Sequence, residues 1–202
     1  MKKNVKKQQN SFWENWPRLY NFIQLLIDGD SYRKIVEHLP IFIERESVLD
    51  LGCGTSQIIR YLKPKIYWGL DANEKYLKFA EDRFKKVSYI FRTEDLRYLK
   101  LPKRNFDLVF IMNVFHHLDN KSVTSVLNKI KKWNKYKHLV IVDSHPVGVF
   151  KSVFTFFDAG NFQRELKQLD KLINKHFIIK NNVDFLNWSH TYQHRLYLIK
   201  GK

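Results

Sequence analysis

Val48-Leu49-Asp50-Leu51-Gly52-Cys53-Gly54-Thr55 is an apolar run with an acid near its end, followed by two glycines separated by one residue. Glycines let a backbone turn sharply and approach a ligand closely. In open α/β sheets such a turn lies at the carboxyl ends of the strands, in the crevice where ligands bind. The segment therefore reads as a buried strand, a tight turn and the start of a helix.

Outward from this stretch, short apolar runs alternate with amphipathic ones. Residues 47–51 read as a strand and residues 56–62 as the helix after it. Residues 66–70 make a second strand. Residues 73–84 make a helix, with Tyr76, Leu77, Ala80 and Phe84 at helical spacing. Residues 87–91 are a third strand. Residues 106–112, nearly all apolar, are a fourth, as expected of a strand covered on both faces. Asp119 stands as an N-cap before a helical stripe of Val123, Val126, Leu127, Ile130 and Trp133. Residues 138–142 are a fifth strand, and residues 162–173 a helix with Phe162, Leu166, Leu169 and Ile173 on one face. Two closing strand-like runs, residues 177–185 and 191–199, have no helix between them and can pair antiparallel. Strands alternating with helices imply a doubly wound, mostly parallel Rossmann-like sheet of seven strands with an antiparallel last strand and an antiparallel edge. Residues 12–39 read as two helices forming an N-terminal cap over the carboxyl edge. Pro17 suits a first helical turn and Asp30 a cap.

The 202 residues fit one domain, with 44% hydrophobic and 15% aromatic residues, enough for a real core. No apolar run approaches the roughly 20 residues needed to span a bilayer. The first ten residues are basic and polar without an apolar stretch behind them, which reads as a flexible arm rather than a secretory signal. Cys53 stands alone, so no intrachain disulfide forms and a Cys-rich zinc site is excluded; a lone thiol fits the reducing cytoplasm. The formal charge of +16 attracts anions, and nucleic acid is a possible partner on that ground. The basic residues are scattered, as Lys2, Lys3, Lys6, Lys7, Lys85, Lys86, Lys131 and Lys132 show.

Asp71 follows Gly54 by 17 positions (71 − 54), at the end of the second strand. An acid about 20 residues beyond a glycine turn accepts hydrogen bonds from ribose hydroxyls, in a dinucleotide or an adenosine ligand. Two features weigh against a dinucleotide. The third glycine is missing, because Ser56 follows Thr55, and Asp50 would repel a pyrophosphate. A carboxylate there suits a cationic ligand. Asp71 as a plain helix cap is the competing reading.

Residues 48–55 resemble the glycine-rich first motif of the class I S-adenosylmethionine (SAM)-dependent methyltransferases, with Ser56 in place of its last glycine. Gly69-Leu70-Asp71-Ala72 is similar to the family's second motif and Asp95-Leu96 to its third-strand motif, 12 positions before Asp107. Residues 106–118, ending Asn113-Val114-Phe115-His116-His117-Leu118, resemble the fourth strand and loop of the small-molecule and lipid branch. The resemblance covers residues 46–142 and implies a single SAM-dependent methyltransferase domain over 1–202, with an arm and helical cap at 1–44 and a Rossmann-like core at 45–202. It implies SAM as cofactor, held by Asp50, Gly52, Cys53, Gly54, Asp71, Ala72, Asp95, Leu96 and Asn113. Asp71 takes the ribose and Asp95 the adenine amino group, with Glu94 as the alternative acid. The acceptor is expected to be small or lipid-like.

Trp16, Tyr20, His117 and His145 are candidates for its binding. Trp13, Trp16 and Tyr20 share one helical face, either as core or as a lid shielding a sulfonium. Phe150, Phe154, Phe156, Phe157 and Phe162 line an acceptor pocket or close the core. His116 and His117 are tempting bases, but a structural role near the fourth strand is favoured. Metal ligands are not expected, and no catalytic constellation is evident, because direct displacement at a sulfonium needs little beyond alignment. An RNA or protein methyltransferase, a non-catalytic SAM-binding protein and a nicotinamide-dependent dehydrogenase remain as rivals.

Overall fold

The computed structural model describes residues 16, 18, 19, 21, 22, 25, 29–148 and 162–201. A seven-stranded sheet runs in the order β3-β2-β1-β4-β5-β7-β6. Its strands are β1 (Ser47–Leu51), β2 (Ile66–Asp71), β3 (Tyr89–Thr93), β4 (Phe106–Met112), β5 (Tyr136–Pro146), β6 (Asn181–Leu186) and β7 (Tyr192–Lys200). The helices are α1 (Ser31–His38), α2 (Ile59–Leu62), α3 (Glu74–Arg83), α4 (Asn120–Trp133) and α5 (Leu166–Asn174). Strands β1 to β5 pair in parallel, and β7 runs antiparallel to both β5 and β6. The expected antiparallel last strand is therefore present; it lies one place in from the edge, which β6 occupies. Pairing with β7 also carries β5 on to Pro146, four residues beyond its expected end, through the register Asp143↔Arg195 to Pro146↔Tyr192.

Two apolar layers cover the sheet. On one face α4 and α5 bury Val123, Val126, Leu127, Ile130, Leu169 and Ile173 against Leu49, Leu51, Val109 and Ile111. On the other, α1 and α2 bury Ile35, Ile59 and Leu62 against Val48, Tyr67, Leu108 and Val140. Alternate residues of β1 thus serve opposite layers, as the two-residue period of a strand requires. Fully burying one such aliphatic side chain contributes roughly 1.5–3 kcal/mol.

Three local expectations are corrected. Helix α2 starts at Ile59, not Ser56, because Ser56 takes a left-handed backbone (φ 56°) and residues 54–58 form turns. Asp30 occupies the N-cap position of α1 without capping it. Its carboxylate instead pairs with Lys34 at 2.7 Å and accepts the Trp188 N–H at 3.0 Å. Helix α1 does not roof the carboxyl edge; it lies along a face of the sheet. Ser31 at its start meets His194 of β7, while Phe42 beyond its end packs on His138 near the start of β5. Asp119 does cap α4, accepting the Ser122 N–H at 2.6 Å. No helix among the described residues is long and apolar enough to cross a membrane.

Candidate functional site

The chain leaves β1 toward β2 and β3 on one side and returns to β4 and β5 on the other. The carboxyl end of β1 therefore marks the point where strand order reverses, the place where sheets of this kind open a ligand crevice. Gly52 and Gly54 take positive φ values there, 78° and 51°. The N–H groups of Gly52 and Cys53 both donate to the Leu70 carbonyl, at 2.7 and 3.0 Å. The Gly54 N–H donates to Asp71 Oδ2 at 2.8 Å, and the Asn73 N–H to Asp71 Oδ1 at 2.8 Å. One carboxylate thus clasps the first turn to the second. Capping of α3 falls to Asn73, which accepts from the N–H groups of Lys75 and Tyr76. That removes the plain helix-cap reading of Asp71.

The turn is closed on one side and open on the other. A Cβ on Gly52 would stand 2.3 Å from Val114 Cγ2, whereas one on Gly54 would meet no atom of the described residues within 4 Å. Among the described residues, the open space at this turn lies over Gly54, beside Asp71 and the exposed Ala72. Asn113, left-handed at φ 54°, follows β4, and its Oδ1 accepts from Ser144 Oγ at 2.8 Å.

Asp50 lies beneath the turn rather than facing solvent. It is 3% exposed and accepts from the Tyr67 hydroxyl at 2.5 Å. Burial pushes its pKa up to about 7; the Tyr67 hydrogen bond acts in the opposite direction, and the charge of Asp71 adds to the rise. Burial also raises the Cys53 thiol well above its usual value, which disfavours the thiolate.

Asp95 caps the short 3-10 turn at Leu96–Tyr98 and is gripped by the Arg97 guanidinium at 2.5–3.0 Å. Partial burial raises its pKa, but the Arg97 hydrogen bonds outweigh this and hold it below the ordinary value. Any ligand group reaching Asp95 therefore competes with Arg97. Glu94 is turned to the Lys100 N–H and Arg92, and Leu96 is buried in the core, leaving its backbone for any ligand contact.

Of the acceptor-side candidates, His117 is half-buried and packs on His116 at 4.2 Å between ring centroids. His116 is buried against Asp143. His145 stands half-buried in β5 opposite Gln193. Trp16 is 58% exposed. Tyr20, Trp13, Pro17, Phe150, Phe154, Phe156 and Phe157 lie outside the described residues, as does the basic arm. Among the described residues, no cluster of three or more His, Cys, Asp or Glu side chains gathers as metal ligands would.

Several residues of the site escaped the sequence reading. Tyr67 is shown to matter only by the register that sets β2 beside β1. Asn21 accepts from Thr55 Oγ1 at 3.0 Å and brings the upstream segment onto the glycine turn. Asp143 and Ser144 stand in the carboxyl half of β5, a position that alone could have marked them. Arg164 donates to the carbonyls of Phe115, Leu118 and Phe162 and to Asn120 Oδ1, pinning the loop after β4.

With this geometry in place, residues 48–137 match a family described as a methyltransferase domain. Over 121 residues the chain is 32% identical to demethylmenaquinone methyltransferase of Thermotoga maritima, covering 57% of this chain and 51% of that one. It is 24% identical over 137 residues to phosphoethanolamine N-methyltransferase of Plasmodium falciparum, covering 63% and 51%. The chain spans about half the length of these two relatives. Among solved structures, it is similar to magnesium protoporphyrin IX methyltransferase from Synechocystis with bound S-adenosylhomocysteine. The TM-score is 0.66 at 19% identity, covering 94% of both chains, a likeness of fold.

Proposed function

We propose that this chain is a class I SAM-dependent methyltransferase, its residues 48–137 matching a methyltransferase domain, and that it binds SAM over the Gly52–Gly54 turn and methylates a small-molecule or lipid-like acceptor. The observation that carries this reading is the Asp71 clasp. It holds a carboxylate at the mouth of an open glycine turn, where strand order reverses. The fit is chemical as well as spatial. Asp71 accepts from ribose hydroxyls, the backbone of Gly52, Cys53 and Gly54 lies against the amino-acid part, and Asp50 supplies negative charge beneath a cation. Ala72, Asp95 and Leu96 take the adenine side, and Asn113 closes the crevice opposite.

When bound, SAM supplies a methyl group activated by its sulfonium charge. The chain's own contribution is alignment and exclusion of water, and well-oriented reactants gain roughly 7–11 kcal/mol from proximity. Trp16, Tyr20, His117 and His145 are the residues proposed to meet the acceptor. The names of the two relatives, one a demethylmenaquinone and the other a phosphoethanolamine methyltransferase, support a small or lipid-like acceptor. No observation on the described residues favours nucleic acid beyond the net charge.

Titration calorimetry with SAM, S-adenosylhomocysteine and NAD tests the cofactor. Micromolar SAM binding with no NAD binding is expected; NAD binding without SAM ends the reading. Production of S-adenosylhomocysteine with a panel of quinols, fatty acids and amino alcohols tests the acceptor. Turnover on total RNA or protein alone overturns the acceptor class, and no turnover with any fraction of an extract leaves a SAM-binding protein without catalysis.

A further inference from the structure

We infer that Tyr67 is a positioning residue of the cofactor site: its hydroxyl holds the Asp50 carboxylate beneath the glycine turn in the ionised form that attracts a cationic ligand. This rests on the reading that SAM occupies the turn.

The arrangement is built from strand register. Asp50 of β1 stands beside Gly69 of β2, and Tyr67, two residues earlier, shares the face of Gly69. The phenol ring runs past Gly69 to put its hydroxyl 2.5 Å from Asp50 Oδ2. A Cβ at position 69 would stand 2.9 Å from Tyr67 Cε1 and 2.8 Å from Cys53 Sγ, so the missing side chain is what lets the phenol and the thiol share this space. Tyr89 and Phe91 of β3 brace the ring, with centroids at 5.7 and 5.8 Å. Tyr67 is fully buried, so its hydroxyl has a fixed station rather than a solvent-averaged one.

Among the described residues, the titratable groups facing Asp50 are few. Tyr67 comes from β2, Asp71 from the end of the same strand, and the Cys53 thiol from the turn. Burial raises both Tyr67 and Cys53 well above their usual values, so both stay neutral near pH 7. Tyr67 is then a neutral donor, and its hydrogen bond favours the charged form of the acid it meets. Burial works against it and leaves Asp50 balanced near neutrality. A cationic ligand above the turn tips that balance toward the carboxylate. By linkage, an Asp50 held in the protonated form weakens the ligand's binding.

The test uses Tyr67→Phe, which keeps the ring and removes only the hydroxyl, alongside Asp50→Asn. Two readouts are taken on the full chain. One is the ligand-free titration of Asp50 by carboxyl carbon NMR, and the other is SAM affinity by calorimetry across pH 5.5–9, a span of about three to four units around neutrality. In the wild type, affinity should rise with pH through neutrality. In Tyr67→Phe both the Asp50 midpoint and the affinity profile should move upward by about one pH unit, a tenfold change in the protonation equilibrium. Asp50→Asn should bind weakly, with no dependence on pH in this range. Identical midpoints and profiles for wild type and Tyr67→Phe would overturn the inference and leave Tyr67 as packing. An absence of SAM binding by the wild type would instead overturn the proposed function, while the ligand-free titration still decides whether Tyr67 governs Asp50.

Discussion

Nδ1 of His116 lies 2.8 Å from Oδ1 of Asp143, joining the loop after β4 to the carboxyl half of β5 inside the protein. Both side chains are buried, so neither is readily replaced by water as a partner. Removing one partner leaves the other unsatisfied at a cost of about 1–3 kcal/mol. Asp143→Ala is expected to lower stability by that amount in urea unfolding while SAM affinity changes less than threefold. A loss of SAM binding without loss of stability would place the pair in the cofactor site instead.

Arg164 holds the same loop from the other side, through the carbonyls of Phe115 and Leu118. Several acceptors around one planar fork suit arginine and not the point charge of lysine. Arg164→Lys is therefore expected to destabilise the chain by about 1–3 kcal/mol and to speed amide exchange across residues 115–118. Unchanged exchange there would show that the guanidinium is not what orders the loop.

The two glycines of the turn should fail in different ways. Gly52→Ala puts a methyl group against Val114 at positive φ, so it should unfold at lower denaturant. The left-handed backbone alone costs roughly 1–2 kcal/mol. Shortening the neighbour with Val114→Ala should restore part of the loss, a coupling that a double-mutant cycle measures. Gly54→Ala meets no atom of the described residues, so its stability should fall only by the backbone term, whereas SAM affinity should fall at least tenfold. Normal SAM binding by Gly54→Ala would contradict the proposed approach.

Asp71→Ala frees two turns at once, because both carboxylate oxygens carry a backbone N–H. SAM affinity should drop by tenfold or more with the chain still folded, about 1.4 kcal/mol or above. Calorimetry beside circular dichroism separates the two effects, and an unchanged affinity removes Asp71 from the site.

Asp50 should also shape ligand-free stability. Its folded-state pKa, about 7, lies above the ordinary carboxylate value, so the folded form holds a proton that the unfolded chain has already released. The resulting destabilisation is absent below pH 4, grows between pH 4 and 7, and is complete above pH 7. Asp50→Asn is expected to gain stability relative to wild type across that window, with a plateau above it. A gain that does not vary between pH 4 and 8 would place the Asp50 titration elsewhere.

Much of this site was legible because its signals are local. Residues 48–55 carry the turn, Asp71 its distance from it, and residues 106–112 their two-sided burial, and β4 has those limits in the structure. Other features depend on partners far away in sequence. The contact of Tyr67 with Asp50 needs the register of two strands, and Arg164 reaches a loop 46–49 residues earlier. The short α2 was obscured by Ser56, whose left-handed backbone nothing in its side chain advertises. The placement of β7 inside the edge follows from sheet pairing that two consecutive apolar runs leave undetermined.

That placement makes the attachment of one strand depend on another. Among the described residues every ladder bond of β6 is made to β7, so residues 181–186 are joined to the sheet through residues 192–200, which lie against β5. The outermost strand is thus a passenger of its successor. A nick or substitution that displaces Tyr192–Lys200 would release two strands from the sheet rather than one, uncovering the flank of β5 to water and to neighbouring chains.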